Sequence, residues 1–114
     1  MGTFTVGDVV VLPFPFSDLS KSKKRPALVL AYAGRQDWVC LQITSKSYGD
    51  NVAIRLAEAD FAIGSLERES FIRPGKLFTA HDSLFDRNVA RIQNDKLDEV
   101  KDAIVKLVQQ GAFS

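Results

Sequence analysis

The sequence predicts a mainly β fold with some α: a small barrel of short strands followed by one C-terminal helix. Three observations carry this expectation. Short apolar, β-branched segments recur through the first two-thirds of the chain, separated by turn residues. After Lys96 the apolar spacing changes to threes and fours. A length of 114 residues suits one compact domain over 1–114 and is short for two.

Gly7-Asp8 is a turn or bulge signal, and Val9-Val10-Val11-Leu12 behind it is a strand whose continuous apolarity predicts cover on both faces. Pro13 and Pro15 end regular pairing, and residues 17–24, Ser-Asp-Leu-Ser-Lys-Ser-Lys-Lys, form a polar loop. Pro26 to Tyr32 and Trp38 to Ile43 are apolar strands joined at Gly34-Arg35-Gln36-Asp37, a connection short enough for an antiparallel hairpin. Asn51 to Leu56, Ser70 to Ile72, Leu77 to Ala80 and Val89 to Ile92 supply further short strands. A helical turn is expected at Ala57 to Phe61 or around Ser83 to Asp86. From Lys96 to Gln110, the residues Leu97, Val100, Ile104, Leu107 and Val108 mark one face of a helix. Asn94 is its expected cap, with Asp95 in the first turn, Lys106 in the last and Gly111 just beyond.

Composition excludes several classes. Hydrophobic residues make up 46% and charged residues 25%, the balance of a folded soluble protein. The longest apolar run, Val9 to Phe16, is too short to span a bilayer as a helix and holds two prolines. Met1-Gly2-Thr3-Phe4-Thr5 has none of the features of a secretory signal, so the expected location is cytoplasmic. Cys40 is the single cysteine, in an apolar run, which leaves no internal disulfide and no thiolate metal cluster. With a net charge of only +1, any attraction to nucleic acid must come from local clustering of cations.

Such a cluster exists at Lys21, Lys23, Lys24 and Arg25, where the polar loop enters a strand. An isolated charge run is usually a solvated loop. Pro26, however, pushes Arg25 toward extended backbone, so its guanidinium leaves a fixed element, and fixed charge is what catalysis uses. Ile43-Thr44-Ser45-Lys46 closes another strand with two hydroxyls and a cation able to meet an oxyanion. Taken alone, a Thr-Ser pair at a strand end more often bonds its own backbone. His81 is the only histidine, preceding Asp82, which could orient an imidazole; a turn-capping histidine is the commoner outcome. Neither a zinc site, a Cys-His dyad nor a nucleotide fingerprint can be assembled from these residues, and no metal or cofactor is expected.

Taken together, Gly7-Asp8-Val9-Val10, the basic loop into Arg25-Pro26-Ala27-Leu28-Val29-Leu30, and Ile43-Thr44-Ser45 resemble the MazF/PemK toxin family in order and spacing. Ser70-Phe71-Ile72-Arg73-Pro74-Gly75-Lys76-Leu77-Phe78-Thr79 extends the resemblance to the family's later strands, so it covers almost the whole chain. The resemblance implies an SH3-like β-barrel of the CcdB/MazF type with added helices. It also implies a usual homodimer, metal-independent cleavage of single-stranded RNA without a cofactor, and inhibition by a partner antitoxin. By similarity, Arg25 matches the family's catalytic arginine and Thr44 its catalytic threonine, with Ser45 adjacent. The sequence departs from the family at Ala90, where many members carry glycine, and at Phe78, where several carry a polar or basic residue. Both departures bear on base preference.

In the implied reaction the substrate's 2′-hydroxyl attacks the adjacent phosphate, leaving a cyclic phosphate and a free 5′-hydroxyl. Arg25 and Thr44 suit stabilisation of the extra negative charge. Arginine stays protonated, so Arg25 is an electrostatic clamp and proton donor rather than a base, and His81 is the candidate proton acceptor. Lys21, Lys23, Lys24, Ser45 and Lys46 are the candidate RNA contacts, with Phe14, Phe16, Trp38 and Phe78 available for stacking. The rival readings are a protein-binding toxin of gyrase-inhibitor type and a non-catalytic RNA-binding member.

Overall fold

The computed structural model describes residues 4–13, 24–46 and 52–112. Most of the basic loop, with Lys21 and Lys23, and the aromatics Phe14 and Phe16 lie outside the described residues. Seven strands, β1 (Asp8–Pro13), β2 (Lys24–Gly34), β3 (Asp37–Thr44), β4 (Ile54–Leu56), β5 (Phe61–Gly64), β6 (Ser70–His81) and β7 (Arg87–Ile92), precede one helix, α1 (Asn94–Gln110). They form a single sheet in the order β4-β6-β3-β2-β1-β7-β5, antiparallel at every pairing. The sheet curls into a nearly closed barrel, which is the architecture expected from sequence.

The apolar run of β1 is covered on both faces, as its composition predicts. Val9 joins Leu28, Leu41, Ile72 and Ile92 in one core cluster, onto which α1 lays Leu97 and Val100. Val10 and Leu12 face the other way, into a second cluster with Val29, Cys40, Trp38 and Phe85. Alternate residues of one strand therefore feed two cores, because successive side chains point to opposite faces. Asp8, fully buried, stands where the chain enters β1; it accepts hydrogen bonds from the Thr5 amide at 2.8 Å and Arg91 Nε at 2.9 Å. That pair fastens the entry of β1 to β7.

Ser70–His81 is one strand of 12 residues rather than two short ones. Its first part pairs Ile72 with Ile43, its last part pairs Leu77 with Leu41, and the register slips between them. Two residues on β3 thus span five on β6, and the surplus contains Pro74-Gly75. A proline without an N–H and a glycine without a side chain are the residues that let a strand bend there without breaking. Strand β5 was not evident from the sequence, because four residues, Phe-Ala-Ile-Gly, give too little alternation to recognise. The expected helical turns resolve into two 3-10 turns, Glu58–Asp60 and Asp82–Leu84.

The helix spans Asn94–Gln110 and ends on Gly111, whose φ of 78° is left-handed and whose N–H reaches Leu107 O at 2.9 Å. Two details at its ends correct the sequence reading. Gln93, not Asn94, occupies the cap position and makes no side-chain cap bond, and Lys106 falls short of the last turn. Among the described residues no helix is long and apolar enough to cross a membrane.

Candidate functional site at the barrel mouth

The β2–β3 ladder reaches from the hairpin to the pair Ala27↔Gln42 and stops. Pro26 is the next residue of β2 and has no N–H to donate, so it pairs only with Val11 of β1 on its other side. Beyond that stop the two strands open, and Arg25 on β2 and Thr44 on β3, each two residues past the last pair, line one open cleft of ≈ 490 Å³. The two side chains singled out from sequence thus line one cleft where the β2–β3 ladder ends.

Arg25 is half-buried, its backbone paired with Leu12 of β1. Thr44 is only 4% exposed, paired with Phe71 of β6, and its hydroxyl accepts the Lys46 amide at 3.2 Å. That bond is the turn device expected of such a residue, but it uses only an acceptor lone pair, and no described acceptor takes the hydroxyl proton. Ser45 lines the same cleft; Lys46 is exposed beside it without lining it. Lys24 lines it too, its ammonium 3.2 Å from Asp86, which also lies 3.7 Å from Arg87.

The rest of the lining comes from parts of the chain that the sequence reading did not single out. Ser65, Leu66, Glu67 and Arg68, between β5 and β6, together with Ser70 and Arg87, complete the cleft. Ser70 is buried and its hydroxyl donates to Arg68 O at 2.9 Å, while Leu66 packs on the core and Glu69 pairs with Arg55 on β4. A segment without regular structure is thereby held from both ends. The signal available for it was Glu67-Arg68-Glu69-Ser70, a charged run opening into apolar Phe71-Ile72, the same pattern as the basic run ahead of β2.

Lys24, Arg25, Arg68 and Arg87 set four cations against the single carboxylate of Glu67 among the described lining residues. No described carboxylate lies within ion-pair distance of Arg25 or Arg68. A chain with a net charge of +1 therefore concentrates positive potential at one place, suited to a polyanion.

His81 is not brought to this cleft. It pairs with Asp37 at the start of β3, whereas Thr44 ends that strand, so the length of β3 separates them, roughly 23 Å at about 3.3 Å per residue. Its Nδ1 accepts the Ser83 amide at 3.1 Å and sits 2.8 Å from the Ser83 hydroxyl, capping the 3-10 turn. Asp82 does not orient it either, since its carboxylate accepts Trp38 Nε1 at 3.4 Å. Trp38 itself is buried in the second core cluster, which withdraws it from base stacking, and Phe78 packs against the same cluster. Cys40 is buried, and burial pushes its thiol up to about 12, so it is no nucleophile at neutral pH.

Comparison with known proteins agrees with this architecture. The sequence matches the family model of the PemK-like, MazF-like toxins of type II toxin–antitoxin systems over residues 5–108. No match was found among curated proteins. Among solved structures, MazE-MazF (Form-II) from Deinococcus radiodurans superposes with a TM-score of 0.75 at 21% identity, covering 96% of this chain and 98% of that one. The toxin MazF-mt6 of Mycobacterium tuberculosis gives 0.69 at 15% identity, over 90% and 96% of the two chains. An endoribonuclease from Mycobacterial species in complex with its cognate antitoxin gives 0.67 at 12%, over 100% and 99%. Identities this low speak for the fold, while the family match spans nearly the whole sequence. The chain belongs to the family of PemK-like, MazF-like toxins of type II toxin–antitoxin systems.

Proposed function

We propose that this toxin is a metal-independent endoribonuclease that cleaves single-stranded RNA in the cytoplasm, acts as a homodimer and is held inactive by a cognate antitoxin. The observation that carries the nuclease reading is the shared cleft of Arg25 and Thr44, with its excess of cations. The 2′-hydroxyl beside the scissile phosphate attacks phosphorus, the phosphorane gains negative charge, and the 5′-oxygen leaves. Arg25 presents a forked, permanently charged donor to that phosphorane, and the Thr44 hydroxyl a second donor. DNA has no 2′-hydroxyl and is not cut. Ser45, Lys46 and Lys24 contact the flanking backbone, joined by Lys21 and Lys23 of the basic loop, and Arg68 and Arg87 add to the charge of the cleft.

Both the family and the endoribonuclease bound to its cognate antitoxin support an antitoxin partner. A cleft with this charge favours an acidic segment as the blocking element.

The test is to incubate the purified protein with a long unstructured RNA in EDTA. Fragments ending in cyclic phosphate and 5′-hydroxyl support the nuclease. Binding without fragments supports an RNA-binding member that has lost turnover, and neither outcome with RNA leaves the protein-binding toxin.

A further inference from the structure

With His81 at the other end of the barrel, the reaction lacks an acceptor for the 2′-hydroxyl proton. Arg25, Arg68 and Arg87 stay protonated. Lys24 is engaged by Asp86, and the oxygens of Asp86 face Lys24 and Arg87 outside the cleft lining. The hydroxyls of Thr44, Ser45, Ser65 and Ser70 are donors and poor bases. Among the described residues that line the cleft, one acidic side chain remains as a candidate acceptor, the carboxylate of Glu67.

Its backbone is suited to the task. Leu66 before it is packed on the core, and after it the Ser70–Arg68 hydrogen bond and the Glu69–Arg55 pair anchor the segment. Glu67 lines the cleft and is exposed, with no described cation in ion-pair distance of its carboxylate. We infer that Glu67, which lines the same cleft as Arg25 and Thr44, is the general base of the cleavage. The inference rests on the nuclease reading above. In the step, the 2′-O–H proton passes to the Glu67 carboxylate as the 2′-oxygen bonds to phosphorus. The bond from phosphorus to the 5′-oxygen breaks, and that oxygen takes a proton from Arg25, which at once regains one from solvent, or directly from water. Glu67 then returns its proton to solvent, and the charge of the site is restored.

The experiment measures kcat and KM against pH on a single-stranded RNA in EDTA, for the parent protein, Glu67→Gln and Glu67→Asp. Glu67→Gln should lower kcat about 10²–10⁴-fold. Its KM should stay level or fall, because removing a negative charge from a cationic cleft favours RNA. The loss of activity that the parent shows as acid protonates the base should vanish from the Gln variant and reappear in Glu67→Asp. Circular dichroism of both variants should match the parent, since the side chain is exposed. The inference is overturned if Glu67→Gln turns over within about threefold of the parent, if it keeps the acid limb, or if the change falls on KM alone. A parent protein that yields no fragments overturns the nuclease reading itself, and the inference with it; a parent that cleaves beside an equally active Glu67→Gln overturns the inference alone.

Discussion

The two ends of the β3–β6 ladder hold similar residue types and put them to opposite uses. At the hairpin end, Tyr32 and Trp38 pack edge to face at 4.8 Å, Trp38 donates to Asp82, and His81 is tied to Ser83. Polar groups there find their partners within the protein. At the mouth, Pro26 stops the neighbouring β2–β3 ladder, those two strands part, and Arg25 and Arg68 meet no described carboxylate in ion-pair distance. A side chain that looks reactive in a sequence is spent on structure at one end and has no described ion-pair partner at the other. Unspent hydrogen-bonding capacity beside a cleft separates the two ends better than residue type does.

The largest effect that would break this contrast is on turnover. Arg25→Ala should lower cleavage at least ~10²-fold, the scale of losing one donor to a developing oxyanion. His81→Ala should cleave within about twofold of the parent with an unchanged pH profile, as measured by fragment release from single-stranded RNA. Equal losses in the two variants would erase the distinction between the ends.

Next in size are two stability effects that leave the cleft lining intact. Trp38→Ala removes a buried indole from the second core and should cost about 3–5 kcal/mol. Arg91→Ala leaves the buried Asp8 carboxylate with only the Thr5 amide and should cost about 3 kcal/mol. Urea denaturation measures both. Cleavage by the folded fraction of Trp38→Ala should persist, which distinguishes a core tryptophan from a base-stacking one.

A smaller effect sharpens the account of the hairpin end. Arg35 and Gln36 carry φ of 53° and 65°, the left-handed values that a two-residue turn with a matching twist requires and that Asn-Gly meets at lower cost. The double variant Arg35→Asn, Gln36→Gly should gain about 1 kcal/mol, read as a higher denaturation midpoint, with cleavage unchanged. The smallest expected effect concerns Cys40. Its thiol is raised from 9.0 to about 12 by burial. A raised folded value means that the stability it contributes is present below 9.0 and lost as pH climbs toward about 12. Alkylation of the native protein at pH 8 should therefore be negligible and become complete only in denaturant.

The extent to which the sequence revealed these ends follows from the range of the interactions. Helix α1 and the strands around Val9, Leu28 and Leu41 were legible, because their periodicity is local and records which face is buried. Part of the cleft lining was legible for the same reason: Arg25-Pro26 and Thr44-Ser45 each sit at a strand end, where a local rule applies. The rest of the lining was not. Glu67 and Arg68 lie on an irregular segment, and Arg87 opens a strand whose neighbours, β1 and β5, are distant in sequence. The continuity of β6 through Pro74-Gly75 was hidden because proline and glycine ordinarily punctuate a strand, and only its pairing with β3 and β4 on both sides shows why they bend this one. The placement of His81 was equally non-local, being fixed by register with Asp37. Gly64 illustrates a compensation no single position reveals. It pairs with Ala90, and a Cβ at 64 would lie 3.3 Å from the Ala90 methyl and 2.4 Å from the Val89 carbonyl oxygen. The Ala90 methyl fits beside a partner that has no side chain.

The most direct measurement is to titrate the isotope-labelled protein with a short single-stranded RNA methylated at its 2′-oxygens, which binds but cannot be cut, and to follow backbone amide resonances. Perturbations should concentrate at Lys24–Arg25, Thr44–Lys46 and Ser65–Ser70 and leave Tyr32–Trp38 and Ala80–Leu84 unmoved. Shifts confined to the hairpin end, with the mouth silent, would contradict the account.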